Sequence, residues 1–293
     1  MAEGRIVKAL SGFYYVENED GIFQCRGRGN FRKRKITPLV GDRVAFEAAN
    51  KTDGYVLDVY ERENQLVRPP IANVEQAVLV FSTQEPDFSP LLLDKFLVHV
   101  EANEIEPVIC LSKIDLLNEQ KEEAMNEAEA LYQSLGYTVI STSIFVDETI
   151  KMLRPYLSGR VSVFAGQSGV GKSSLLNALK PELNLATNQI SKSLGRGKHT
   201  TRHVELIPVD GGYVADTPGF SSLDFEGMDV EGLTYCFPEM RKRMNDCKFR
   251  GCTHINEPKC AVKEAVEAGT VAKGRYNHYL QFAEEIKNQK RRY

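Results

Sequence analysis

The stretch 161-VSVFAGQSGVGKSSLLNAL-179 decides how this chain is read. An apolar run of β-branched and aromatic residues gives way to Gly166, Gln167, Ser168, Gly169, Val170, Gly171, Lys172 and Ser173. That octet fits G-x4-G-K-S, and the helix-favouring run from Ser174 to position 179 follows it. Strand, glycine-rich loop and helix in this order make a phosphate cradle. The glycines let successive backbone N–H groups turn inward, and the helix N-terminus adds partial positive charge. Lys172 is placed to reach β- and γ-phosphates, and Ser173 to ligate Mg²⁺.

Further apolar runs at 76–82, 107–112, 137–141, 203–209 and 212–216 are bounded by turns. Helix-period stretches at 90–103 and 119–135 separate several of them. Buried strands spaced by helices predict a largely parallel, doubly wound sheet. Three of these strands end in polar motifs. After 212–215 comes 216-DTPG-219, where Asp216 can hold Mg²⁺ and the Gly219 N–H can touch a γ-phosphate. After 107–111 comes Ser112-Lys113-Ile114-Asp115, which resembles the base-reading motif of GTPases. A carboxylate at Asp115 can accept from both the ring N–H and the 2-amino group of guanine; adenine lacks the second donor. Ser112 stands where Asn is commoner, and its short hydroxyl is expected not to bridge as an amide does, which predicts weaker nucleotide affinity. Ser141, Thr142 and Ser143, at the next strand end, are candidates for backbone contacts to the base.

The order of these motifs is informative. In ordinary small GTPases the phosphate loop comes first, whereas here the base motif precedes it and DTPG comes last. The sheet is therefore read as circularly permuted, and the edge left by the cut is expected to be braced by flanking domains.

Upstream, 1–66 reads as short strands with turn signals at Asp20-Gly21, Pro38, Gly41-Asp42 and Asp53-Gly54. Strands without helices predict an OB-like β-barrel. Within it, 26-RGRGNFRKRK-35 is read as a flexible loop. Arg26, Arg28, Arg32, Lys33, Arg34 and Lys35 supply charge and Phe31 a stacking ring, a combination suited to single-stranded nucleic acid; a charged solvent loop is the other reading. Arg68-Pro69-Pro70 is read as a linker. The expected division is a barrel at 1–66, a circularly permuted GTPase-type α/β domain at 67–221 and a mostly helical zinc-binding domain at 222–293.

The third part contains Cys247, Cys252, His254 and Cys260, spaced C-x4-C-x-H-x5-C. Three thiolates and an imidazole suit one tetrahedral Zn²⁺, and four protein ligands leave no position for a catalytic water, so the metal would be structural. The composition is consistent with this. The 293 residues are 42% hydrophobic and 26% charged, which excludes wholesale disorder. No apolar run is long enough to span a bilayer, and the N-terminus lacks a signal-peptide pattern. A cytoplasmic protein, monomeric and without membrane partner, is expected, its six cysteines reduced. Charge is segregated: net +4 over 1–40, −14 over 41–240 and +7 over 241–293, as in an acidic body with two arms that contact nucleic acid.

Barrel, permuted GTPase and Cys/His-bearing helical tail together resemble the ribosome small subunit-dependent GTPase A family (RsgA, also called YjeQ or YloQ) over essentially the whole chain. The segment 195-GRGKHTTRHVEL-206 is similar to that family's first switch region. The resemblance implies GTP hydrolysis with Mg²⁺, coupled to late maturation of the 30S ribosomal subunit, with 16S rRNA as a partner. Thr200 or Thr201 is the candidate to complete the Mg²⁺ shell. Phe220 follows DTPG where many small GTPases have a water-orienting Gln, so unaided hydrolysis is expected to be slow, with His199 as the candidate activating group. The rival readings are a nucleotide-dependent RNA-binding or chaperone module with incidental hydrolysis, and a P-loop ATPase, which Asp115 opposes.

Overall fold

The computed structural model describes residues 1–29, 31, 34–67, 69–185, 204–215 and 223–290. Five strands, β1 (Ala2–Leu10), β2 (Phe13–Asn18), β3 (Gly21–Gly27), β4 (Arg43–Asn50) and β5 (Asp53–Val59), close a barrel in the order β1-β2-β3-β5-β4. All its pairings are antiparallel except β3 with β5. Alternate residues Ile6, Val16, Cys25, Val44, Phe46 and Val56 fill the interior.

One turn lies outside the turn signals read above, and two local readings change. The segment 5–17 is two strands joined at Ser11-Gly12, both with positive φ (51° and 84°), the geometry of a two-residue hairpin. Asp53-Gly54 is not a turn. Asn50 pairs with Asp53, and Gly54 lies in β5, where a Cβ would collide with the Cys25 sulfur. The basic stretch does not begin as a loop either, because Arg26 and Gly27 pair with Tyr55 and Val56.

The proline-marked linker is structured around 68. Strands β6 (Gln65–Leu66) and β7 (Ile71–Ala72) form a small ribbon, and Asn64 and Val74 exchange hydrogen bonds of 2.7 and 2.9 Å. Arg62 grips the buried Asp42 of the barrel with two bonds, Nε at 2.7 Å and a terminal nitrogen at 2.8 Å.

The central sheet has the order β10-β9-β8-β11-β13-β12, from β8 (Gln76–Ser82), β9 (Glu106–Ser112), β10 (Thr138–Thr142), β11 (Val161–Ala165), β12 (Leu206–Val209) and β13 (Gly212–Ala215). Only the β12–β13 pair is antiparallel. Every residue of β8 is buried. Ala77, Leu79 and Phe81 face one layer with Leu93, Leu97 and Met125. Val78 and Val80 face the other with Leu153, Leu157 and Leu175. This period of two explains why the run reads as continuously apolar.

Both flanking parts brace this sheet. On the β12 side, Lys8 of β1 pairs with Glu205 as an isolated β-bridge and as an ion pair of 2.8 Å. Tyr213 donates to Glu17 at 2.8 Å. On the helical side, the helix Pro90–Ala102, capped by Ser89, presents Asp94 to the long helix Lys273–Lys290. Arg275 there is 2% exposed, pairs with the fully buried Asp94 and binds Glu239 through Nε at 2.8 Å and a terminal nitrogen at 3.1 Å. His278 and the Tyr132 hydroxyl also reach Asp94, at 2.5 and 2.8 Å. No helix among the described residues is long and apolar enough to cross a membrane.

Candidate nucleotide site and metal cluster

The phosphate loop leaves the centre of the sheet at the end of β11. Gly166 adopts φ 140°, and a Cβ there would collide with the Val80 carbonyl of β8, so no other residue can make this exit. Gly169 and Gly171 also have positive φ (86° and 94°), and Gly171 leads into the helix Lys172–Leu179. Gln167, Ser168 and Gly169 are exposed, Ser174 is half-buried, and Val170 and Ser173 are buried beneath them. The Lys172 ammonium donates to the Gly166 carbonyl at 2.8 Å and the Gln167 carbonyl at 2.5 Å, spanning the loop. Burial pushes its pKa down from 10.5 to about 8, and an anion placed in the loop would raise it again.

The base-reading motif sits beside this loop at the end of β9. Ser112 is 5% exposed, and its hydroxyl donates to the Val170 carbonyl at 2.6 Å, with the Phe81 carbonyl 3.3 Å away. The expectation that a hydroxyl is too short to bridge is therefore corrected. Val170 comes close enough for the serine to link the two halves of the site. Lys113 follows in the left-handed region at φ 59°, and Ile114–Leu116 form one tight turn. The Asp115 carboxylate accepts from the Ser143 hydroxyl at 2.6 Å, which fixes one of its oxygens. The neighbouring side chains turn elsewhere. Ser141 donates to Glu129 at 2.9 Å, and Thr142 is buried beside Cys110.

Sequence reading overlooked the segment after β8. Thr83 donates from its backbone to the Ser112 carbonyl at 3.0 Å and from its hydroxyl to the Lys113 carbonyl at 2.8 Å. Gln84 donates to the Leu116 carbonyl at 2.6 Å, and the Lys113 ammonium donates to the Glu85 carbonyl. Nothing in the string STQEP marks these contacts, because they are made across 28 to 32 residues of chain. Strand β13 ends at Ala215, next to β11. Asp216, Gly219 and Phe220, like His199, Thr200 and Thr201, lie outside the described residues.

The four residues Cys247, Cys252, His254 and Cys260 come together with their ligand atoms all within 4.8 Å of one another. His254 Nδ1 lies 3.6 Å from the Cys247 sulfur and 3.3 Å from that of Cys260. Burial pushes the Cys252 thiol up to about 12, so a bound cation is what would make it a thiolate. Three sulfurs and one nitrogen at this spacing fit a soft divalent metal. Two helical tyrosines hold the ligand loop, Tyr279 donating to the Thr253 carbonyl and Tyr276 to the His254 carbonyl, each at 2.7 Å. From within the loop, the Glu257 carboxylate accepts from the Thr253 hydroxyl and from the Thr253 and Ile255 amides. Burial alone would raise its pKa; these bonds outweigh that and bring it down to about 2.

The basic stretch of the barrel is less open than expected. Phe31 is buried in the core, where it cannot stack on a base. Arg28 pairs with Glu47 at 2.5 Å and Arg34 with Asp58 at 2.7 Å. Arg26 lies over the Phe13 ring, and Lys35 is exposed at φ 55°. Arg32 and Lys33 lie outside the described residues.

Two family models match the chain, RsgA GTPase over residues 59–226 and RsgA N-terminal domain over 3–56. A Bacillus cereus protein called small ribosomal subunit biogenesis GTPase RsgA is 63% identical over 293 residues, covering 100% of both chains. A Halalkalibacterium halodurans protein of the same name is 64% identical over 292 residues, covering 100% of this chain and 99% of its own. Among solved structures, YloQ, described as a circularly permuted GTPase, matches at TM-score 0.87 and 51% identity over 99% of this chain and 96% of its own. YjeQ from Thermotoga maritima matches at TM-score 0.87 and 38% identity over 97% and 98%.

Proposed function

The chain belongs to the RsgA GTPase family, and on that footing we propose that it hydrolyses GTP to GDP and phosphate as a factor in biogenesis of the small ribosomal subunit. One observation supports this most directly. The Ser112 bond to Val170 joins the base-reading turn to the phosphate loop, so a single frame presents Asp115 to a base and loop N–H groups to phosphates. In this reading Asp115 accepts from guanine, Lys113 lies along the base, and Ser141 to Ser143 offer backbone contacts. Residues 166–174 cradle the phosphates, with Lys172 turning from the Gly166 and Gln167 carbonyls to the β- and γ-oxygens. Magnesium, bound with the nucleotide, neutralises charge on the transferring phosphoryl group. Ser173, Asp216 and Thr200 or Thr201 are its proposed ligands. Gly219 meets the γ-phosphate. His199 is the proposed water-orienting group, because the phenyl ring of Phe220 cannot polarise water.

The cysteine–histidine cluster is proposed to hold one structural zinc that stiffens the tail. Arg26, Arg28, Arg34, Lys35 and their neighbours Arg32 and Lys33, with the basic tail, are proposed to meet 16S rRNA phosphates; the ion pairs of Arg28 and Arg34 are exposed and exchange readily for phosphate. A cytoplasmic monomer is the form proposed to act. The test is GTP turnover with purified small or large ribosomal subunits. Stimulation by small subunits of roughly 10³–10⁵-fold, as activators give other GTPases, is expected. No stimulation by small subunits, or equal stimulation by large ones, overturns the proposal.

A further inference from the structure

The segment Thr83 to Pro86 has no place in the nucleotide-site roles assigned above, yet it holds the base-reading turn and lies next to Gly169 of the phosphate loop. It receives the Lys113 ammonium at the Glu85 carbonyl and holds two carbonyls of the base-reading turn, that of Lys113 through the Thr83 hydroxyl and that of Leu116 through the Gln84 amide. These two carbonyls bracket Asp115. On its other side, a Cβ on Gly169 of the phosphate loop would come within 3.8 Å of the Pro86 ring.

Lys113 gives this arrangement its physical sense. A non-glycine residue at φ 59° is held in a sparsely populated conformation and persists only when its surroundings over-determine it. Here the peptide planes before and after its Cα are each fixed by Thr83, through the Ser112 carbonyl at 3.0 Å and the Lys113 carbonyl at 2.8 Å. Thr83 is 3% exposed, so water cannot readily replace its hydroxyl. We propose that Thr83 is a positioning residue for guanine recognition: its hydroxyl sets the Lys113 peptide, and thereby the turn that aims Asp115, while Gln84 secures the far end of that turn. The proposal rests on the GTPase reading and deepens it by naming what makes the base site selective.

The experiment compares wild type with Thr83→Val, Thr83→Ser and Gln84→Leu in the full chain. Affinities are measured for GDP, for inosine diphosphate, which lacks the 2-amino group, for ADP and for pyrophosphate. Thr83→Val is near-isosteric and removes one hydrogen bond. GDP affinity should fall about 5- to 10-fold while inosine diphosphate loses less, so the GDP preference narrows. Pyrophosphate binding should be unchanged, and Thr83→Ser should restore the preference. Gln84→Leu should narrow it in the same sense, and carries the test if Thr83→Val does not fold. An unaltered GDP-to-inosine diphosphate ratio, or equal loss for all ligands including pyrophosphate without rescue by serine, overturns the proposal. Wild type binding ADP as well as GDP would instead remove the guanine reading on which it stands.

Discussion

Free Lys172 has its pKa pushed down to about 8, because the loop buries its ammonium and, among the described residues, its hydrogen-bond partners are neutral carbonyls. Polyphosphate in the loop adds close negative charge and must raise that pKa again. Binding is therefore coupled to proton uptake, and the sign follows from which state has the higher value. Below pH 8 the lysine is charged in both states and binding takes up little. Above it, the free protein must gain a proton to bind. With a pKa of about 8 in the free protein and a bound value well above it, uptake at Lys172 is about 0.1 proton at pH 7 and about 0.75 at pH 8.5. Apparent affinity falls by up to about tenfold per pH unit beyond 8, until the bound-state pKa is reached. Isothermal titration calorimetry with GDP, in buffers of differing ionisation enthalpy at pH 7.0 and 8.5, reads the proton count directly. Lys172→Arg, charged throughout, should abolish the difference and cancels any contribution from the base. Uptake that does not change between the two pH values, or that persists in Lys172→Arg, would refute the reasoning.

Other outcomes follow from the same site and its supports. Asp115→Asn should shift preference from guanine toward xanthine nucleotides in competition binding; an unchanged preference would remove Asp115 from base reading. Freshly purified, reduced protein should contain about one zinc per chain by elemental analysis, and Cys252→Ser should lower that content while GDP binding persists. Asp94→Ala strips Arg275 and His278 of their shared carboxylate inside the protein, so stability should fall by about 3–5 kcal/mol in denaturant titration. A change below 1 kcal/mol would mean that Glu239 alone satisfies Arg275.

What could be read in the sequence was governed by locality. Strand β8 is buried on both faces, so it reads as an unbroken apolar run, and the phosphate loop is contiguous, so its glycines announce it. The C-x4-C-x-H-x5-C spacing likewise brings its ligands together over a short span. Readings failed where a partner lies far along the chain. Gly54 looks like a turn until Cys25 is seen against it, and Phe31 looks like a stacking ring until the barrel closes over it. Ser112 looks like a weakened asparagine until Val170 arrives within 2.6 Å. The Ser11-Gly12 hairpin was hidden for a different reason: a register shift between Ile6 and Lys8 leaves the adjacent Ile6 and Val7 both buried, so strict alternation is lost before the turn arrives.

The pairing of Asp94 with Arg275 has a consequence for how the chain is made. The two residues are 181 positions apart. At about 5–20 residues per second, the ribosome adds the arginine roughly 10–40 seconds after the aspartate. Throughout that interval the helix Pro90–Ala102 carries a carboxylate without its guanidinium, and Val98 lacks the aromatic cluster that later covers it. The phosphate loop and the base-reading turn have already been synthesised by then, yet the layer behind them stays uncovered. A nascent chain interrupted before position 275 would keep that charge exposed to quality control, and only continued synthesis supplies the residue that allows it to be buried.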